Sequence, residues 1–285
     1  MAKEYVPPNV WKMDDNMGGN FSAINRPTAG ARVKRALPEG KHPFQLYSLA
    51  TPNGVKVTIM FEELLLAGVK EAEYDAFLID INEGDQFTSG FVDINPNSKI
   101  PALIDKTGDK PLRIFESGSI LLYLADKYQR FIPQSIEKRA ETLNWLFWQM
   151  GSAPFLGGGF GHFYKYAPKK IEYGINRYAM EAKRQLDVLD RKLSETPFVA
   201  GDEYTIADMA IFPWYGNLVK GKIYDAVEFL SLHKYKHIIR WADMLLQREG
   251  VLRGRLVNRT WGDSDQQLKE RHSKTDFEQI DIAFR

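Results

Sequence analysis

Two short stretches of this 285-residue chain combine anion-binding groups with the start of a helix. Glu116-Ser117 follows a strand-like segment and opens a helical one. A helix N-terminus presents unpaired N–H groups and a partial positive charge, so a carboxylate is well placed there, with the Ser117 hydroxyl added. The alternative is that Ser117 only caps the helix. Thr51-Pro52-Asn53-Gly54 brings a hydroxyl and a side-chain amide to the start of another helical segment, although taken alone it reads as a turn. Lys99 carries a charge suited to a second carboxylate or simply to solvent, and Pro101 opens a strand where proline costs no ladder hydrogen bond. There is no cysteine, which excludes disulfide scaffolds, cysteine-rich zinc sites, iron-sulfur clusters and a cysteine nucleophile. Any thiol chemistry must therefore come from a bound molecule.

Other chemistry-bearing types are poorly arranged. Of the five histidines only His233 and His237 are close, in a Lys-rich segment without an HExxH pattern, so they read as solvated surface rather than a metal site. Gly157-Gly158-Gly159-Phe160-Gly161 follows a helical segment, not a strand, and lacks a nucleotide-loop pattern; it reads as a flexible break between helices. Trp145, Phe147, Trp148, Phe160, Phe163, Tyr164 and Tyr166 read mostly as core, those after the break being available to wall a hydrophobic pocket.

The elements that would position these residues follow from periodicity. Phe44 to Leu49 alternates as a strand, apolar positions from Val55 to Leu66 give a helix stopped at Gly68, and Glu73 to Ile79 reads as a second strand. A strand, helix, strand unit of this kind predicts parallel strands with a right-handed crossover. A polar loop with Gly84, Asp85 and Gln86 precedes Asn95 to Pro101, after which short strands at 102–104 and 112–115 form a hairpin and Ile120 to Tyr128 a helix. From Ile136 onward the pattern is helical throughout, including a long amphipathic segment from Tyr173 to Leu193 and a capping box at Thr205-Ile206-Ala207-Asp208. Residues 1–42, with scattered Pro and Gly, read as an extended arm whose Trp11, Phe21 and Ile24 would anchor it to a folded body.

Lys plus Arg number 38 against 37 Asp plus Glu, so no overall field draws the chain to nucleic acid or anionic lipid. No apolar run approaches a membrane span and the first residues lack a signal-peptide stretch, making the cytoplasm the default expectation.

Asn95-Pro96-Asn97-Ser98-Lys99-Ile100-Pro101, Phe115-Glu116-Ser117-Gly118-Ser119-Ile120 and Phe198-Val199-Ala200-Gly201-Asp202 with Thr205 to Asp208 together resemble the glutathione transferase superfamily in order and spacing. The arm, the Thr51 to Gly54 turn and the Trp145 to His162 segment more narrowly resemble the bacterial nu class, known as glutathione-dependent disulfide-bond reductases. The resemblance implies an α/β thioredoxin-like domain at 43–130, an all-α domain at 136–260 and an extension at 261–285. It also implies a cis Ile100–Pro101 bond that turns the Ile100 backbone toward a cysteinyl backbone, Glu116 and Ser117 at the γ-glutamyl end, and Lys99 at the glycyl carboxylate. Thr51, Pro52 and Asn53 would meet the glutathione sulfur, where hydroxyl, amide and helix dipole favour the thiolate.

Asn25, Gln86 and Arg177 are the matching positions for further glutathione contacts, Arg177 through a bidentate fork or else a surface ion pair. The class pattern has a glutamine at about position 150; here Met150 stands beside Gln149, and adjacent helical residues point about a hundred degrees apart. A homodimer that binds one or two glutathiones per site and reduces disulfides is the implied protein, with Thr51 and Asn53 catalytic and no metal. Conjugation of glutathione to electrophiles is the enzymatic alternative, and a non-catalytic glutathione-binding or interaction module the alternative of another class.

Overall fold

The structure, a computed structural model, describes residues 5–14, 24–278 and 280. Strand β1 (Phe44–Ser48), helix α1 (Pro52–Leu66) and strand β2 (Tyr74–Leu78) form the opening unit, with β1 and β2 parallel. After a short helix α2 (Ser89–Ile94), strands β3 (Ala102–Asp105) and β4 (Leu112–Phe115) form the hairpin, and β3 runs antiparallel to β1. The sheet order β2-β1-β3-β4, closed by helix α3 (Ser117–Tyr128), is a thioredoxin-like layout. Helix α2 occupies part of what reads in sequence as a polar loop. It is short, and only Phe91 and Ile94 bury, too little to show a helical period.

The helical half comprises α4 (Ile136–Pro154), α5 (Glu172–Glu195), α6 (Ile206–Ile211), α7 (Asn217–Val219), α8 (Lys236–Leu245) and α9 (Glu249–Gly254). Between α4 and α5 the chain does not break at the glycines. Phe155–Tyr166 continues as a π-helical segment. The expected flexible break is thus a packed element, because the glycines admit neighbouring rings: a Cβ on Gly159 would lie 2.3 Å from Tyr178, and one on Gly161 2.4 Å from Tyr224. A second correction concerns Phe147, which is exposed, whereas Trp145 and Trp148 pack against the core.

Helix α1 is buried on nearly every side from Gly54 to Leu64, including Lys56, Thr58, Glu62 and Glu63. Such polar groups must find partners when they leave water. Thr58 donates to the Gly254 carbonyl at 2.6 Å, Glu63 takes a two-pronged contact from Arg248 at 2.7 Å each, and Glu62 accepts from Tyr74 at 2.8 Å. The chain's last segment completes the set. Arg271, fully buried, lies 3.1 Å from Glu62, pairs with Glu73 and rests over the Tyr74 ring. Its backbone exchanges hydrogen bonds with Ala76 at 2.7 and 3.1 Å, which covers the edge of β2. The arm crosses the opposite side: Ser89 N–H donates to Val33, Gly90 N–H to Arg35, and Tyr47 hydroxyl to Pro38. Ile24 and Trp11 of the arm line cavities described below; Phe21 lies outside the described residues.

The capping box forms as the sequence predicts. Buried Asp208 accepts from the backbone N–H groups of Val199 and Thr205 at 2.9 and 3.0 Å and from the Trp241 indole at 2.9 Å. Truncation would strand three donors in the core. Asp208→Ala is therefore expected to lower unfolding free energy by about 3 kcal/mol or more, read from urea-induced unfolding followed by circular dichroism.

Candidate functional site

Two helices begin at one cavity. The N-cap of α1 is Thr51 and that of α3 is Glu116, and neither N-cap side chain bonds back to its own helix. The N–H groups of both first turns are thus left for something else to satisfy. A cavity of about 270 Å³ is lined by Thr51, Asn53, Gln86, Lys99, Ile100, Glu116 and Ser117 among others. Ser117 is the first residue of α3 and not its cap, so the capping alternative for it does not hold.

Local chemistry explains how the chain reaches this shape. Gly54 sits where a Cβ would lie 2.0 Å from the Leu49 carbonyl oxygen and 2.5 Å from the Ser48 hydroxyl, so α1 can start this close to β1 only with glycine there. Asn258, from beyond α9, accepts the Ala50 N–H on its carbonyl at 3.1 Å and steadies the turn into Thr51. Glu116 has φ 69° and ψ 121°, a conformation that non-glycine residues rarely adopt and that clusters at functional sites. The Ile100–Pro101 bond is cis, and both residues line the cavity. Gln86 is buried; its amide N–H donates to the Ile81 carbonyl at 3.2 Å while its Oε1 has no partner among the described residues.

A second cavity of about 830 Å³ adjoins the first through Thr51 and Ile24. Asn25 and Pro52 belong to it, together with Trp11 from the arm and His162, Tyr166 and Trp214 from the helical half. Of Phe160, Phe163, Tyr164 and Tyr166, the aromatics expected to wall a pocket, Tyr166 lines it and the other three do not, Phe160 being buried in the core. Asn25 is tied to the first cavity by a hydrogen bond from Lys99. The structure thus brings together nine of the eleven residues singled out in the sequence around two joined cavities.

The other two lie elsewhere. Gln149 is fully buried and accepts from the Lys56 ammonium at 2.7 Å, lining neither cavity. Its neighbour Met150 turns toward Ser117 instead, with its sulfur 3.9 Å from the hydroxyl. Arg177 is exposed on α5 and lines neither cavity, near enough to Glu181 to help hold that carboxyl below its usual range. His233 and His237 are both exposed, and among the described residues no group of three or more His, Asp or Glu could hold a metal ion.

Lys56 was not singled out in the sequence. It is fully buried behind the cavity, 3.4 Å from the Ser117 hydroxyl, and burial drives its ammonium well below the usual value while Glu116 pulls it back up. The available signal is one charged residue in the run Val55 to Met60, whose other residues are apolar except Thr58. Trp214 was missed as well; it donates its indole N–H to Asn53 Oδ1 at 2.9 Å across the two halves of the chain.

This fold and double helix-terminus site define a class. The chain belongs to the glutathione transferase family: the description "Glutathione S-transferase, N-terminal domain" matches residues 45–126. Within that family it is 64% identical over 274 residues to the disulfide-bond oxidoreductase YghU of Escherichia coli K12, covering 96% of this chain and 95% of that one. A glutathione transferase YghU from Streptococcus pneumoniae, solved with glutathione, superposes with a TM-score of 0.88 at 56% identity, over 90% of this chain and 99% of that one. A Pseudomonas fluorescens family member with two glutathiones bound gives 0.68 at 42% identity, over 74% and 92%. The description "Nuclear-export cofactor Arc1p" also matches residues 175–249, within the helical half.

Lys56 supplies a test of the site's electrostatics. Replacing this buried cation by methionine removes its desolvation cost but strands the buried Gln149 oxygen and leaves the Ser117 hydroxyl unsupported. Lys56→Met is expected to lower the melting temperature by several degrees but leave a folded protein, while glutathione affinity, measured by calorimetry, falls about tenfold.

Proposed function

We propose that this protein is a glutathione-dependent disulfide-bond reductase. The observation that carries the reading is the convergence of two uncapped helix N-termini on one cavity in a chain without cysteine. One terminus, with Glu116 and Ser117, suits the α-carboxylate and ammonium of a γ-glutamyl group. The other, with Thr51 and Asn53, suits a thiolate, whose pKa falls when donors and a helix dipole favour the charged form. Ile100 offers its backbone between them, Lys99 a cation for the glycyl end, and Gln86 an unpartnered carbonyl. The residues present therefore fit glutathione.

The second cavity gives room for a second glutathione beside the first, and the Pseudomonas fluorescens relative has two glutathiones bound. In the overall exchange a substrate disulfide is reduced to two thiols and two glutathione thiols become one oxidised glutathione. Both sulfur–sulfur steps begin with thiolate attack on a disulfide sulfur. Thr51 and Asn53 hold the attacking thiolate, and the protein contributes no sulfur of its own. The homodimeric, cytoplasmic state belongs to the same proposal; among the described residues no helix is long and apolar enough to cross a membrane.

The larger cavity's Trp11, Tyr166 and Trp214 favour a second reading, conjugation of glutathione to an apolar electrophile. Reduction of 2-hydroxyethyl disulfide, coupled to glutathione reductase and NADPH, is expected to exceed conjugation of a model aryl halide by the same protein. Thr51→Ala is expected to lower kcat/KM for the disulfide about ten- to a hundredfold. Full activity in that variant removes Thr51 from the role, and faster conjugation than reduction favours the second reading.

A further inference from the structure

Asn53 faces a geometric problem that Thr51 does not. A hydroxyl rotates freely to suit its neighbour, but a carboxamide is planar and has a donor end and an acceptor end. Turned one way it would donate to an anion; turned the other way its carbonyl would repel one. Something must choose. The only hydrogen bond to the Asn53 side chain among the described residues comes from the Trp214 indole, 2.9 Å from Oδ1. An indole N–H can only donate, so the amide oxygen must face Trp214 and the NH2 must point elsewhere. Asn53 lines the smaller cavity beside Thr51, whereas Trp214 lines the larger one, so the bond runs through the wall between them. The Asn53 NH2 group has no protein partner among the described residues.

We propose that Trp214 is a positioning residue: its indole N–H locks the Asn53 amide so that the NH2 group donates to the glutathione sulfur. The inference rests on the reading of Thr51 and Asn53 as the sulfur site. Trp214 is itself well held. It belongs to the π-helical segment Phe212–Gly216, whose Tyr215 hydroxyl donates to Gln185 at 2.8 Å and whose Pro213 carbonyl accepts from Asn217 at 2.9 Å. Gly157 gives the indole its room, since a Cβ there would lie 2.6 Å from the ring's outer edge. A helical-half residue thereby sets a hydrogen-bond donor on α1, and anything seated in the larger cavity would lie against the same indole.

The test is the thiol pKa of glutathione bound to the full chain, titrated by ultraviolet thiolate absorbance, in Trp214→Phe and Asn53→Ala. Trp214→Phe keeps a ring but removes the N–H. It is expected to raise the bound thiol pKa by about half a unit to one unit, with glutathione affinity within about twofold of wild type. The kcat for disulfide reduction at neutral pH should fall about three- to tenfold and recover as pH rises. Asn53→Ala should raise the pKa at least as much, and adding Trp214→Phe to it should raise it no further. A wild-type pKa in Trp214→Phe beside a raised one in Asn53→Ala overturns the positioning role and leaves the sulfur site intact. An unmoved pKa in Asn53→Ala defeats the reading of Asn53, and the inference with it. Should Trp214→Phe not fold, Gly157→Ala displaces the indole from outside and must raise the pKa in the same direction for the proposal to stand.

Discussion

Helix α1 lies out of water along most of its length, yet it carries a lysine, a threonine and two glutamates in its buried span. Burying such groups is tolerable only when each has a partner, and here each has one from a distant part of the chain: Gln149 on α4, Gly254 on α9, Arg248 and Arg271. The matching of these polar side chains fixes α1 between the sheet and the helical half. That same immobility holds Thr51 and Asn53 at the helix start. The N–H groups of the first turn, unlike those side chains, are left without a side-chain cap and open onto the cavity. The site is therefore where the first turn of α1 meets the cavity without a side-chain cap.

The two cavities divide the work by polarity. The smaller joins two helix termini, asparagines, a lysine and the strained Glu116, groups suited to a short zwitterionic peptide. The larger is walled mainly by aromatic and small apolar residues, with Asp14, Asn25, Arg26 and His162 among them. Thr51 lies on both, which makes it the point where a sulfur held in one space can meet a partner held in the other. Flat rings, unlike a shaped polar socket, discriminate weakly among apolar partners.

Much of this was legible in the sequence because it depends on local chemistry. Alternation at Phe44 to Leu49, the Thr205 to Asp208 box, and the motifs around Ile100 and Glu116 each encode structure within a few residues. What escaped depends on the third dimension. Gly157 to Gly161 carry the composition of a loose break, yet they pack as π-helix because rings distant in sequence occupy the space a side chain would need. Gln149 and Met150 differ by one position, and only the packing of α4 against α1 decides that the amide meets Lys56 while the thioether meets Ser117. Trp214 has no motif at all; its partner is more than a hundred and fifty positions away, at Asn53.

Arg271 crosses back from the far end of the chain to pair with β2, the strand at the edge of the sheet. During synthesis the sheet residues leave the ribosome long before that strap does. Until it arrives, Glu62 and Glu73 lack their arginine, and the backbone of Ala76 has no neighbour on that side. The nascent thioredoxin-like half thus waits with an open edge while the helical half is made, a template for unwanted strand pairing. A segment made nearly two hundred residues after β2 then serves as its edge cover, so that protection of the sheet has to wait for the helical half to be made.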